Sequence, residues 1–144
     1  MALLRLDGGK RMLALGAPGH RNRNGSTVGA VRFYDSGLRP PHAPRPAELL
    51  CTVSGEAHLG EFGAALGVVG GPAANGRPPL LAIGSPGDGE AGAQLRSGVV
   101  WLLVATAGFA EQLCVGGRNL TVAELMGGGG SGGGVVQAKI RGPR

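Results

Sequence analysis

Acidic residues and histidines are scarce in this sequence, which has nine Asp and Glu and three His among 144 residues. With so few of these side chains, no acid–base pair for catalysis can be assigned. Ser26, Ser85 and Ser97 fall in predicted turns, and none lies in the strand–turn–helix setting of a nucleophile elbow. The glycine-rich run at 127–134 also lacks the Gly-Lys-Ser/Thr ending of a phosphate-binding loop. The sequence therefore predicts that this chain is not an enzyme by itself.

Cysteine and long apolar runs are equally limited. Two cysteines provide no zinc-binding pattern, and no segment approaches the roughly 18 apolar residues of a membrane-spanning helix. Residues 1–15 are interrupted by Arg5, Asp7, Lys10 and Arg11, so they do not read as a signal peptide. We therefore expect no Cys/His metal site, no membrane span and no signal peptide in this chain.

Only five residues are aromatic, although the chain is basic, with a formal net charge of +5. The positive charge is concentrated at the two ends: residues 1–45 carry eight Lys or Arg against two Asp, and the last six residues add three more cations. These cations are scattered singly among Gly and Pro, without the interleaved aromatic residues that stack on nucleic-acid bases. Nucleic acid is therefore not a predicted partner.

What the sequence does contain is an internal repeat. Residues 13–19 (LALGAPG) precede a polar loop and then 29–34 (GAVRFY), and 81–87 (LAIGSPG) precede a polar loop and then 98–103 (GVVWLL). The two pairs are offset by 68 and 69 residues, and a weaker echo separates the Glu48 and Glu111 segments by 63. Self-similarity at a fixed period predicts a repeat architecture, in which successive units bury a core only against each other.

The composition and the turn signals predict an all-β chain. Thirty Gly and ten Pro leave little room for helices, and short apolar runs bounded by Gly and Pro are typical of buried strands. For the complete unit we expect four strands near 49–54, 62–69, 80–84 and 98–104, joined in one antiparallel sheet. The apolar residues expected to pack in that sheet are Phe62, Leu66, Leu81, Ile83, Val100 and Leu102.

Short motifs in the two copies resemble the FG-GAP repeat of integrin alpha chains and of glycosylphosphatidylinositol-specific phospholipase D. Phe62-Gly63 corresponds to the "FG", and Gly16-Ala17-Pro18 corresponds to one "GAP". Gly84-Ser85-Pro86 is a close variant of the second element. The resemblance spans about residues 13–104 and implies an all-β chain of about two β-propeller blades.

This resemblance divides the chain into four parts. Residues 1–45 are predicted to form a partial FG-GAP blade and 46–110 a whole one, while 111–126 begin a further degenerate repeat and 127–144 form a Gly-rich flexible basic tail. Propellers close with four to eight blades, so two blades predict an incomplete propeller. We expect the chain to be a fragment of a longer product, with assembly into a ring or a marginally folded remnant as alternatives.

The calcium loop that FG-GAP blades often carry is degenerate here. The corresponding segments read AANGRPPL at 73–80 and DGGKRM at 7–12, so that Asp7 is the one carboxylate left, beside Lys and Arg. Ca²⁺ requires several oxygen ligands at short spacing. Asn75-Gly76 is expected to serve as a turn, and Asp88 and Glu90 as a solvated turn. No cofactor is therefore expected.

The two cysteines fall at equivalent places in successive copies. Equivalent points on adjacent blades should lie further apart than the ~7 Å limit on the Cα separation of a disulfide. This geometry favours two buried free thiols over a bridge between Cys51 and Cys114.

The resemblance implies a non-catalytic module that binds another protein or a glycan, as integrin-like heads do. The alternative is an accessory propeller portion of a secreted phospholipase D-like hydrolase. Further expected partners are missing propeller blades or a second copy of the chain. The resemblance also implies an extracellular or cell-surface location, and Asn24 and Asn119 begin triplets that fit the N-glycosylation sequon.

Overall fold

The computed structural model describes residues 1–6, 11–35, 48–70, 78–89, 97–105, 113–114, 119–126 and 136–141. Nine strands and one short helix occupy these residues. In chain order they are β1 (Ala2–Arg5), β2 (Arg11–Ala17), β3 (Ala30–Asp35), β4 (Glu48–Ser54), β5 (Ala65–Val69), β6 (Leu80–Ser85), β7 (Val99–Val104), β8 (Asn119–Thr121), α1 (Val122–Met126) and β9 (Val136–Arg141).

The strands form two sheets. The first has the order β1-β2-β3-β4-β8, in which β1 to β4 are antiparallel neighbours and β8 lies parallel to β4. The second has the order β5-β6-β7-β9 and is antiparallel throughout. The all-β class predicted from glycine, proline and short apolar runs is confirmed.

One apolar core lies between the two sheets. Side chains alternate between the two faces of a strand, and β2 accordingly buries Met12 and Ala14 while β6 buries Leu81 and Ile83. The largest aromatic contribution from the second sheet is Trp101 on β7, which is 3% exposed. All of these residues belong to a single cluster that also contains the side chains of β1, β3 and β4.

The prediction that residues 49–104 form one four-stranded sheet is wrong. The strands occur close to their predicted places, but β4 pairs with β3 and β8 in the first sheet, and β5 begins the second. Residues 55–64, between β4 and β5, carry the chain from one sheet to the other. Phe62, expected at the start of a strand, instead forms an isolated parallel bridge with Gly29.

The predicted core of the second sheet is correct on β6 and wrong on β7. Phe62, Leu81 and Ile83 are buried, and Leu66 is half-buried against the core. Val100 and Leu102, however, lie on the opposite face, because β7 buries the alternate set that includes Trp101. A one-residue change of register exchanges the two faces of a strand, and an uninterrupted apolar run such as VVWLLV does not specify which set faces inward.

The prediction of a flexible tail over 127–144 is wrong for residues 136–141. These residues form β9, which pairs with β7 and completes the second sheet as its fourth strand. Apolar residues alternate with Gln, Lys and Arg in this segment, and such a pattern suits an edge strand. The remaining residues of the predicted tail lie outside the described part of the chain.

Cys51 and Cys114 form a disulfide, so the prediction of two free thiols is wrong. Their Cα atoms are 5.7 Å apart, within the usual range for a bridge. The prediction assumed that Cys114 lies in the second sheet at the position that Cys51 holds in the first. It does not lie there. The chain after β7 instead returns to the first sheet, where β8 lies beside β4.

The helix α1 follows β8 directly and has a capping box. The amide of Thr121 donates to Oε2 of Glu124 at 3.0 Å, and the amide of Glu124 donates to Oγ1 of Thr121 at 3.4 Å. Such a reciprocal pair satisfies two amides that a helix N-terminus leaves without partners. Among the described residues, no helix has the length and apolar character needed to cross a membrane.

Candidate functional site at the junction of the two sheets

Residues 55–64, which we call the connector, are hydrogen-bonded to the first sheet through the loop that joins β2 to β3. The amide of Gly55 donates to the carbonyl of Gly29 at 3.0 Å. Further along, Leu59 donates to Thr27 at 2.6 Å and Phe62 donates to Val28 at 3.2 Å, backbone to backbone. Three bonds spread over the connector hold it along this loop.

The connector is also bonded to the second sheet. The amide of Gly63 donates to the carbonyl of Gly84 at 3.0 Å, and the amide of Gly87 donates to the carbonyl of Gly60 at 3.1 Å. The same Gly60 carbonyl accepts a 2.8 Å bond from the buried hydroxyl of Ser85. The connector is thus pinned on both sides, and the predicted motif residues Gly63, Gly84 and Ser85 are among the groups that pin it.

Two glycines allow the backbones to approach closely at this junction. A Cβ atom on Gly16 would overlap the carbonyl oxygen of Gly63, and Gly63 itself has a φ of 87°, which disfavours any residue with a side chain. The glycine of the "GAP" segment on β2 and the glycine of the "FG" segment in the connector therefore face each other where the connector meets the first sheet. Their role in this structure is close packing of backbone.

Phe62 lies between the sheets as an aromatic anchor. It is 1% exposed, and its ring meets the ring of Trp101 edge to face, with centroids 6.4 Å apart and an interplanar angle of 73°. Edge-to-face pairs at this distance add to the stabilisation that burial provides. Phe62, which the sequence motif identified, thus fixes the connector to the core of the second sheet.

The two Gly-X-Pro segments form equivalent turns. The carbonyl of Ala17 accepts from the amide of His20 at 3.0 Å, and the carbonyl of Ser85 accepts from the amide of Asp88 at 3.1 Å. Pro18 and Pro86 occupy the second position of each turn, where the fixed φ of proline is favourable, and both are exposed. These turns and the connector lie at one end of both sheets, which we call the loop end.

Two residues of the connector that are not glycine have a left-handed backbone conformation. Leu59 has a φ of 56° and Glu61 a φ of 54°. Residues with a side chain rarely adopt this region, and such strain persists only where the surrounding structure imposes it. Leu59 is nevertheless 42% exposed. A large apolar side chain is therefore presented at the loop end on a backbone that hydrogen bonds fix in place.

The connector that carries Leu59 and the neighbouring β2–β3 loop also carry exposed charged side chains of both signs. Arg21 and Arg23 are exposed on the β2–β3 loop, and Glu56 and Glu61 are exposed on the connector. The loop that carries the arginines is internally ordered, because the side-chain carbonyl of Asn22 accepts from the amides of Asn24 and Ser26, each at 3.0 Å. This surface thus combines an apolar centre with charges of both signs, an arrangement common in protein-binding sites.

The residues considered for calcium binding give no site in the described part of the chain. Asp7, Asn75 and Glu90 lie outside the described residues. Asp88 is half-buried, and its backbone carbonyl accepts from Gly98 at 3.0 Å. No group of three or more His, Cys, Asp or Glu able to hold a metal ion occurs among the described residues.

The two glycosylation sequons differ in setting. Asn24 is exposed at the tip of the β2–β3 loop. Asn119 is also exposed, but it opens β8, which pairs with β4, and the hydroxyl of its sequon residue Thr121 takes part in the helix cap. Of the two, Asn24 is the one in a surface loop.

Leu59 was not singled out from the sequence, because nothing in the composition of the segment GEAHLGEFG marks a leucine as exposed or strained. The glycines at 55, 60 and 63 do indicate an irregular segment with close backbone approaches.

Fold and site together define a class: an all-β protein of two packed sheets, with a hydrogen-bonded connector that presents an apolar side chain at one end. In comparisons with known proteins, no family model and no curated protein matches the chain.

Proposed function

We propose that this chain is a non-catalytic FG-GAP-type repeat module that binds another protein or a glycan through its loop end, in the manner of integrin alpha chains. The observation that carries this proposal is the exposure of Leu59 on a strained backbone that is pinned to both sheets. Each sheet would be one propeller blade.

Matching hydrogen bonds in the two copies support the repeat. In the first copy the amide of Gly29 donates to the carbonyl of His20 at 3.1 Å, and in the second the amide of Gly98 donates to the carbonyl of Asp88 at 3.0 Å. The two glycines have similar positive φ values, 77° and 70°. In each copy, therefore, a loop that ends in a hydrogen-bonded glycine with positive φ leads into the next strand, β3 in the first copy and β7 in the second.

The way in which the sheets stack supports propeller blades over a sandwich in which a two-fold axis relates the two sheets and brings the same face of each together. In the repeat, Ala14 aligns with Ala82 and Leu15 with Ile83. The core receives Ala14 from the first sheet but Ile83 from the second. The two copies therefore contribute opposite faces to their interface, as successive units of a repeat stack do.

The strain at Leu59 supports a binding role for the loop end. A leucine in the left-handed region costs on the order of 1 kcal/mol, and strained residues cluster at ligand clamps and active sites. An Asn or Gly at this place would fit the backbone better but would remove the apolar contact surface. The exposed charges of both signs at the loop end suit a protein surface better than a polyanion.

A disulfide and an exposed sequon support an extracellular location. Bridges such as Cys51–Cys114 persist mainly in oxidising compartments. Asn24 lies in an exposed loop, where the glycosylation enzymes have access.

The test is to probe arrays of receptor ectodomains and of glycans with the wild-type chain and with Leu59→Asn. Asn tolerates a positive φ, so this variant should unfold at the same or a higher denaturant concentration. We expect it to bind the array ligands at least tenfold more weakly. A variant that gains stability and loses binding is the signature of strain maintained for function.

Leu49→Asn is the matched control, because Leu49 is 40% exposed but lies on β4 near the opposite end of the first sheet. It should bind as the wild type does. A wild-type chain that binds no ectodomain and no glycan would overturn the proposal. Equal binding by Leu59→Asn and the wild type would exclude the loop end as the site.

A further inference from the structure

The outer face of the second sheet is apolar across all four of its strands. Six of its residues are Val69, Leu80, Ala82, Val100, Leu102 and Ile140. Val100 is 39%, Ile140 53% and Val69 63% exposed. Val69 lies opposite Leu80 at one end of this face and Val100 lies opposite Ile140 at the other, and Ala82 lies opposite Leu102 between them. No charged residue occurs among the described side chains of this face.

The outer face of the first sheet has a different character. It carries Arg5 opposite Arg11, and the exposed Arg32 opposite Leu15. In the repeat, Arg32 aligns with Trp101, which is buried between the sheets. The first sheet therefore has charge where a stacking blade has an aromatic residue.

We propose that a second copy of this chain docks on the outer face of the second sheet, apolar face to apolar face about a two-fold axis. The alternative is head-to-tail stacking, in which the first sheet of one copy would cover the second sheet of another. That arrangement would bury Arg32 against a face with no described carboxylate, and an unpaired buried charge is costly. Face-to-face docking buries no charge from the described residues, and two-fold symmetry is the commonest arrangement of homodimers.

The size of the face indicates how strong such a dimer is. Four strands of about six residues cover roughly 20 Å by 19 Å. Treated as flat, this face would bury about 400 Å² per copy, or about 800 Å² in the dimer. Stable interfaces bury about 1,200–2,000 Å², and weaker encounters lie below that range. We therefore expect a weak dimer that forms only at high protein concentration.

Sedimentation velocity of the full chain from about 2 to about 200 μM tests this proposal. The wild type should shift from monomer to dimer across this range. Val100→Lys should raise the dissociation constant by more than tenfold, and Val100→Thr, which keeps the shape and suits a strand, should raise it severalfold. Val100→Thr decides the outcome if Val100→Lys does not fold by circular dichroism.

Leu3→Lys is the matched control, since Leu3 is 40% exposed on the outer face of the first sheet. If the copies dock face to face, Leu3→Lys should dimerise as the wild type does. If they stack head to tail, Leu3→Lys should weaken the dimer as much as Val100→Lys. A wild-type chain that stays monomeric at every concentration overturns the proposal, as does a loss of association in Leu3→Lys. Because none of these residues belongs to the loop end, binding on the arrays described above is expected to survive all three substitutions.

Discussion

At the scale of single residues, the loop end depends on glycines placed where backbones touch. Gly16 on β2 meets the carbonyl of Gly63, whereas Gly67 on β5 has no atom within 4 Å of the place where its Cβ would lie. We expect Gly16→Ala to lower the free energy of unfolding by about 1–3 kcal/mol, because overpacking forces the backbones apart. Gly67→Ala should leave it unchanged or raise it by up to about 1 kcal/mol, because alanine restricts the unfolded chain.

Urea denaturation of both variants measures this difference. Each replaces a strand glycine by the same residue, so strand propensity is common to the two and only the contact differs. Equal effects of the two substitutions would show that the close approach of Gly16 and Gly63 carries no packing constraint.

Residues in the motifs could be identified from the sequence, but their contacts could not. The glycines and Phe62 stood out because backbone approach and aromatic burial require particular residue types. Leu59 did not, because its left-handed backbone results from hydrogen bonds to Thr27 and neighbouring residues that lie about 30 positions away. Strain of this kind is set by tertiary structure and leaves no local pattern.

At the scale of elements, the disulfide joins a strand of the first sheet to the segment that precedes β8 and α1. The bridge closes a loop between residues 63 positions apart. A cross-link of that length restricts the unfolded chain strongly, and we expect its removal to lower the free energy of unfolding by about 2–4 kcal/mol.

The measurement is denaturant unfolding of the wild type with and without a reducing agent, beside the double variant Cys51→Ala, Cys114→Ala. The reducing agent should lower the midpoint of the wild type towards that of the double variant. It should leave the double variant unchanged, which separates the loss of the bridge from other effects of the agent. No change in the wild type would show that the bridge contributes nothing to stability.

The loops give a second prediction at this scale. Because 7–12 hold a single carboxylate beside Lys and Arg, and 73–80 hold none, millimolar Ca²⁺ should leave the melting temperature unchanged. An ion bound specifically to the folded state stabilises it by about 2.7 kcal/mol at a hundred times its dissociation constant. A rise with Ca²⁺ but not with Mg²⁺ would contradict this prediction.

Strand positions were predictable because Gly and Pro bound each apolar run, but strand partners were not. β4 was assigned to the sheet that follows it in sequence, and the fourth strand of the second sheet proved to be β9, which 31 residues separate from the end of β7. Pairing over such a distance depends on which edges remain open after the rest of the chain has folded. The similarity of the segments around Cys51 and Cys114, 63 residues apart, predicted that the two cysteines hold equivalent positions in separate repeats. The structure instead brings them together in a disulfide.

At the scale of the whole molecule, the two sheets share one core, and each has an outer face that the other does not cover. The outer face of the second sheet leaves Val69, Val100 and Ile140 exposed. Exposed apolar surface that is covered on association links stability to concentration, since a species that binds only the folded state stabilises it by mass action. The melting temperature of this chain should therefore rise with protein concentration.

Because a domain of this size shifts its melting temperature by about 2–8 °C for each kcal/mol, a hundredfold increase in concentration above the dissociation constant should raise it by several degrees. Calorimetry across that range measures the shift. The melting temperature of Val100→Lys should rise much less over the same range, whereas Leu3→Lys should keep the full dependence, since the outer face of the first sheet takes no part in the association. A melting temperature of the wild type that is independent of concentration would mean that the apolar face stays exposed in solution and that the two sheets are stable without a partner.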